Sequence, residues 1–172
     1  MLKQTLMGAF ALGISAPTFA DSFMDAKWAA ALCEAWNTSK VLSEDLVRDE
    51  WMANNSRGYK LIRMFREECG EVTQIQLTIE ARDGKAFCSY GGAADDQKLE
   101  KTVDYQLSAS DRRWTEMGSG EYGPFKAMMF GYITVKGPYD EAMYHMKPFS
   151  EFLALAGTIP GEKGAEHCPS SQ

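Results

Sequence analysis

Histidine is scarce in this 172-residue chain, which has only His145 and His167. A Ser–His or Cys–His catalytic pair would have to use one of them, and neither lies near a candidate nucleophile in the sequence. There is no GxSxG elbow, no Walker loop, no GxGxxG after a strand and no HExxH. CxxC is missing too, and the adjacent His167 and Cys168 have no partner at ligand spacing, so neither a metal nor another cofactor is expected. Positive charge is also short. Eighteen Lys and Arg face 24 Asp and Glu, a net charge of −6, the wrong sign for a surface that neutralises phosphates, so nucleic acid is not an expected partner. No apolar run approaches the roughly twenty residues of a membrane span. What remains is an ordinary globular composition, 45% hydrophobic and 24% charged, which excludes a disordered tail.

The longest apolar stretch, Leu6 to Ile14, follows Lys3 and precedes Ser15-Ala16-Pro17-Thr18-Phe19-Ala20. Small residues at −3 and −1 before Asp21 complete a secretory signal peptide over residues 1–20. Export, to a periplasm or the exterior, gives the four cysteines a meaning, because an oxidising compartment permits disulfides. Cys33, Cys69, Cys88 and Cys168 allow three pairings. Asp83-Gly84 is a two-residue hairpin signal that places Cys88 opposite Ile79. Cys69 is then about 33 Å away along the strand, too far for a disulfide. The other pairings stay open, as does the plainer role of a cysteine as a small buried hydrophobe.

Trp28, Leu32 and Trp36 recur at steps of four, which predicts an amphipathic helix over 25–36, stopped by Asn37. Ser43 is expected to cap a second short helix through Leu46, Val47 and Trp51. After Gly58 the period changes to that of strands, over 59–66, 73–82, 85–90 and 102–108, which read as an antiparallel meander. Ser110 caps a helix carrying Trp114 and Met117, and a fifth strand lies within 131–137. Pro138 starts a helix with Asp140 and Glu141 in its first turn, and Pro148 restarts or kinks it. His145 falls on the face of that helix away from Met143 and Met146, and is expected to be solvated. The fold class is α+β, a five-stranded mostly antiparallel sheet covered by helices.

The C-terminal half is rich in soft apolar residues: Trp114, Met117, Phe125, Met128, Met129, Phe130, Tyr132, Met143, Met146, Phe149 and Phe152. Methionine is flexible and polarizable, and it adapts to irregular apolar ligands as readily as it fills an irregular core. The order of elements around these residues resembles the sterol carrier protein 2 (SCP2) domain. A strand with Asp104, a helix ending at Gly118, a segment with Pro124 and Ala127, then Gly131, a strand with Val135 closing on Gly137, and a helix with Ala142 occur in that family's order.

The resemblance implies helices enclosing an apolar tunnel for sterols, fatty acyl chains or other lipids, with no catalytic residues. The eleven soft residues above are then the expected ligand contacts. It departs from the usual family members, which are cytoplasmic or peroxisomal, in its export signal and in the two helical segments ahead of the first strand. The organisation expected is a signal peptide over 1–20, a helical extension over 21–58, a lipid-binding domain over 59–160 and a flexible tail over 161–172. Two functions compete: an exported non-enzymatic lipid carrier, with an apolar lipid and transient membrane contact as partners, and an assembly factor using the same fold as a protein-contact surface. A connected apolar void favours the first and a filled core the second. N-terminal sequencing of exported protein is expected to begin at Asp21, and a start at Leu2 or Lys3 would reject cleavage.

Overall fold

The computed structural model describes residues 21–53 and 55–169, so the expected signal peptide lies outside the described residues. Helix α1 (Ala26–Thr38) starts where the Asp25 carboxylate accepts from the Trp28 N–H. It buries Trp28, Leu32 and Trp36, as the four-residue spacing requires. A π-helical turn (Val41–Asp45) then runs into one α turn, α2 (Leu46–Arg48). Ser43 does not cap it. Its hydroxyl is buried and donates to Ser39 O, while the Ser39 hydroxyl accepts from the Leu42 N–H. The start therefore lies four residues earlier than the sequence pattern suggests.

The sheet contains β1 (Tyr59–Arg66), β2 (Ile75–Arg82), β3 (Lys85–Ala93), β4 (Tyr105–Ala109) and β5 (Thr134–Lys136), in the order β3-β2-β1-β4-β5. Asp83 and Gly84 both have positive φ, at 52° and 71°, the conformation of the tight hairpin turn that joins β2 to β3. Cys88 faces Ile79. The first three strands are a meander, but β4 lies parallel to β1, so the sheet is mixed. The connection between β3 and β4 crosses the outer face, where Arg63 donates to Asp95 O and Gln97 O and the Gln76 amide donates to Asp95. Buried Asp104 ends the crossing: one carboxylate oxygen accepts from the Leu61 N–H and the other from the Glu100 N–H, and Arg57 pairs with both.

Helices α3 (Asp111–Gly118), α4 (Pro124–Met129), α5 (Tyr139–Tyr144) and α6 (Met146–Thr158) complete the fold. Ser110 caps α3 through the Arg113 N–H. Where α3 crosses α6, a Cβ on Gly157 would lie 2.5 Å from Gly118 Cα, so this crossing needs glycine on both helices. Where α1 crosses β3, a Cβ on Gly91 would meet Ala29 O at 2.3 Å.

The inner face of the sheet carries Ile62, Met64, Ile75, Leu77, Ile79, Tyr105 and Leu107, all buried, and it shares one core with α1 and α6. Two cations lie on that face of β1 as well: Lys60, with a fully buried side chain, and Arg66, at 1% exposure. Arg66 forks onto the Asp111 carboxylate and donates to Gly164 O and His167 O. Burial pushes the Asp111 carboxyl up, but hydrogen bonds from Arg66 and the Gly164 N–H outweigh it and hold the group below its ordinary range.

Two disulfides, Cys33–Cys88 and Cys69–Cys168, close the structure, and the pairing that spans the hairpin is not formed. The second one, with the Arg66 contacts and the paired backbones of Phe23 and Glu162, ties down residues that the sequence suggests are a flexible tail. Through residue 169 that segment is fastened to the sheet. The reason is non-local, since each partner lies far away in the chain. Non-reducing peptide mapping should recover Cys33–Cys88 and Cys69–Cys168, and recovery of Cys69–Cys88 would contradict the hairpin register. Asp111 has a lowered native pKa, so its stabilisation is present above the unfolded carboxylate pKa of about 3.9 and is lost as pH falls through the native value. Acid unfolding of Asp111→Asn should therefore depend less on pH below about 4 than the parent.

Candidate functional site

Between the inner face of the sheet and the helices lies an apolar cavity of about 60 Å³. Ile62 of β1 and Tyr105 and Leu107 of β4 form its floor, and Trp36, Leu42, Leu46 and Trp51 line it from the N-terminal segment. Its roof is Ala142 and His145 at α5, with Pro148, Phe149 and Phe152 of α6. Trp36 stands between Trp51 and Phe152, with ring centroids 6.3 and 5.9 Å away, and Trp51 stacks on Tyr105 at 6.2 Å. The polar groups of this wall are occupied. Trp36 Nε1 donates to Ala86 O, and Trp51 Nε1 lies 3.4 Å from the Tyr105 hydroxyl. The void holds a few water-sized groups, well below the roughly 300–1,000 Å³ of a typical ligand pocket.

A charge pair lies beside the cavity, outside its lining. Lys60 Nζ lies 4.6 Å from the centre of the Trp51 ring and 5.7 Å from that of Tyr105, behind the wall that these rings make. It donates to both Glu141 oxygens, at 2.7 and 2.8 Å, and the Tyr105 hydroxyl donates to the same carboxylate. Burial lowers the Lys60 pKa, against the opposing pull of Glu141. Burial and the Glu141 carboxylate both raise that of the Tyr105 phenol. Removing one partner of such a pair leaves an uncompensated buried charge, a loss of about 3–5 kcal/mol.

His145 is 7% exposed, not solvated. α5 ends at this residue, whose φ and ψ are −100° and 40°, so continuous helical face counting fails there. Its ring turns inward, with Nδ1 2.8 Å from Glu141 O and Nε2 3.3 Å from Asp49 O.

The structure distributes the expected contact residues among five places. Phe149 and Phe152 line the cavity. Trp114 and Met117 are buried on α3, and Met143 and Met146 are half-buried near the α5–α6 break. Met128 and Tyr132 are partly buried against the edge of the core, and Phe125, Met129 and Phe130 are 53%, 64% and 65% exposed. The six-residue α4 explains the last group: only its Pro124 and Ala127 are buried, which leaves the rest outward. Around Tyr132, the Arg113 guanidinium lies 3.6 Å from the ring centre. Tyr122, Arg112 and Arg113 hydrogen-bond Glu116 and hold it down to about 2. Of the cavity residues absent from the expected set, Trp36 carried a signal in the spacing of α1, and Tyr105 and Leu107 in the alternation of β4. Among the described residues no cluster could hold a metal ion, and no helix is long and apolar enough to cross a membrane.

The profile of the SCP-2 sterol transfer family matches residues 46–150. The chain belongs to that family. Its match begins at Leu46, so the turn of helix that lines the cavity lies inside the family region. The fold is similar to a crystal structure of sterol carrier protein 2, at 17% identity and a TM-score of 0.53, over 81% of this chain and all of that one. A solution structure of a possible sterol carrier protein from Thermus thermophilus is 18% identical over 85% of this chain and 97% of its own, with a TM-score of 0.49. The sterol carrier protein domain 2 of Helicoverpa armigera is 22% identical over 84% of this chain and 99% of its own, with a TM-score of 0.42. No curated protein matches the chain significantly.

Proposed function

We propose that this SCP-2 family member is an exported, non-catalytic carrier that holds an apolar lipid between the sheet and the α5–α6 roof. The observation that carries this reading is the cavity itself, a partly open apolar void between floor and roof in the fold of a sterol transfer family. Burial of a chain there is favourable by about 0.8 kcal/mol per CH₂. Its small volume requires the roof to move aside on loading. Export is supported by the sequence pattern of residues 1–20, an apolar stretch followed by small residues before Asp21, and by two disulfides, which persist in an oxidising compartment. The printed name of the similar crystal structure, sterol carrier protein 2, makes a sterol the first ligand to test.

One observation favours a second reading, the assembly factor. Phe125, Met129 and Phe130 present exposed apolar surface at α4, which suits a contact with a protein, and with a membrane during transfer. The cavity separates the two readings. Ala142 is buried against the void, and Ala142→Leu adds carbon that the void can take, so the protein should stay folded by circular dichroism. Dehydroergosterol uptake should then weaken by about tenfold or more, and native mass spectrometry of the parent should show co-purified lipid. A parent that takes up no lipid, or a folded Ala142→Leu variant that binds as well as the parent, would reject the carrier reading.

A further inference from the structure

Helix α5 of the roof is tied to the sheet by a charge pair whose two members are unequally buried. The Lys60 side chain has no exposed surface, while that of Glu141 keeps 14% and sits on the same short helix as Ala142, which lines the cavity. Ala142 is the buried residue within α5. Its other anchors include the Glu141 contacts to Lys60 and Tyr105 and, at its end, the His145 contact to Asp49 O. A chain enters a void this small only if a wall moves, and moving α5 takes Glu141 off Lys60. A cation left there without its anion is unfavourable, so an incoming anion stabilises the open state more than a neutral group does.

We propose that Lys60 is a specificity-determining residue for the lipid ligand: it accepts the ligand's carboxylate in place of Glu141, and α5 is the lid that this exchange releases. The inference rests on the carrier reading above and deepens it. The charges balance at both stages. In the closed protein Lys60 is paired with Glu141. In the loaded protein it is paired with the ligand, and Glu141, already at the rim, swings into water. The Tyr105 hydroxyl, which donates to Glu141, is placed to donate to the incoming carboxylate. A neutral hydroxyl makes this exchange less favourably, because it brings no charge to compensate Lys60. An acid is therefore favoured over an uncharged lipid with the same chain.

The test uses cis-parinaric acid, its methyl ester and dehydroergosterol as fluorescent probes with the purified protein. The acid should bind about tenfold or more tightly than the ester, the value of roughly one charge-assisted hydrogen bond. In the double variant Lys60→Met with Glu141→Gln, which removes both charges together, the ratio of the two affinities should fall to about one. If that variant fails to fold by circular dichroism, Lys60→Gln with Glu141→Gln, which removes both charges and keeps a hydrogen-bonding pair, takes its place: the acid-to-ester ratio should again fall to about one, and a ratio unchanged from the parent overturns the proposal. Equal binding of acid and ester by the parent overturns it too, and leaves the carrier reading standing. Failure of the parent to bind any of the three probes overturns the carrier reading and this inference with it.

Discussion

Strand β1 places two cations on the same face as its core residues Ile62 and Met64, with Lys60 at one end and Arg66 at the other, and neither side chain reaches solvent appreciably. A buried cation without an anion is costly enough to threaten a marginally stable domain. Each must therefore draw a carboxylate from elsewhere in the chain. Arg66 takes Asp111 at the start of α3, and with it the carbonyls of Gly164 and His167. Lys60 takes Glu141 on α5. The central strand thus determines where the first turn of α3, the C-terminal residues and α5 are seated.

The covalent ties follow a different plan from the ionic ones. Cys33–Cys88 joins α1 to β3, and Cys69–Cys168 joins the β1–β2 connection to the segment after α6. Neither reaches α5 or the part of α6 above the void. Both disulfides lie away from the roof, which relies on packing, the Lys60–Glu141 and Lys147–Asp45 ion pairs and hydrogen bonds, interactions that can be exchanged. For the proposed carrier this division is useful, because the part proposed to yield is the part without a covalent constraint.

Much of the architecture was legible because local chemistry and tertiary structure agree. Asp83-Gly84 adopts the positive φ values of a tight turn, so strand register and the exclusion of a Cys69–Cys88 bridge could be counted from two residues. The spacing of Trp28, Leu32 and Trp36 named the buried face of α1. Ser43 misled because two serines four residues apart offer the same capping chemistry, and only the packing around Leu42 and Leu46 selects Ser39. His145 misled because the helix ends beneath it, and a face assigned by continuous periodicity has no meaning beyond a break.

By itself the sequence determined the α+β class, the order of elements, the family resemblance and the core faces of α1, β2 and β4, because each depends on a period or a turn written in neighbouring residues. Only the tertiary structure decided that β4 joins β1 in parallel, that residues 161–169 are fastened, and that the cavity is walled largely by residues of the N-terminal segment and the sheet floor. It also decided which acid meets which buried base. The physical reason is that charge compensation and close packing act between residues far apart in the chain. Lys60 and Glu141, or Arg66 and Asp111, meet only once the sheet and its helices are assembled.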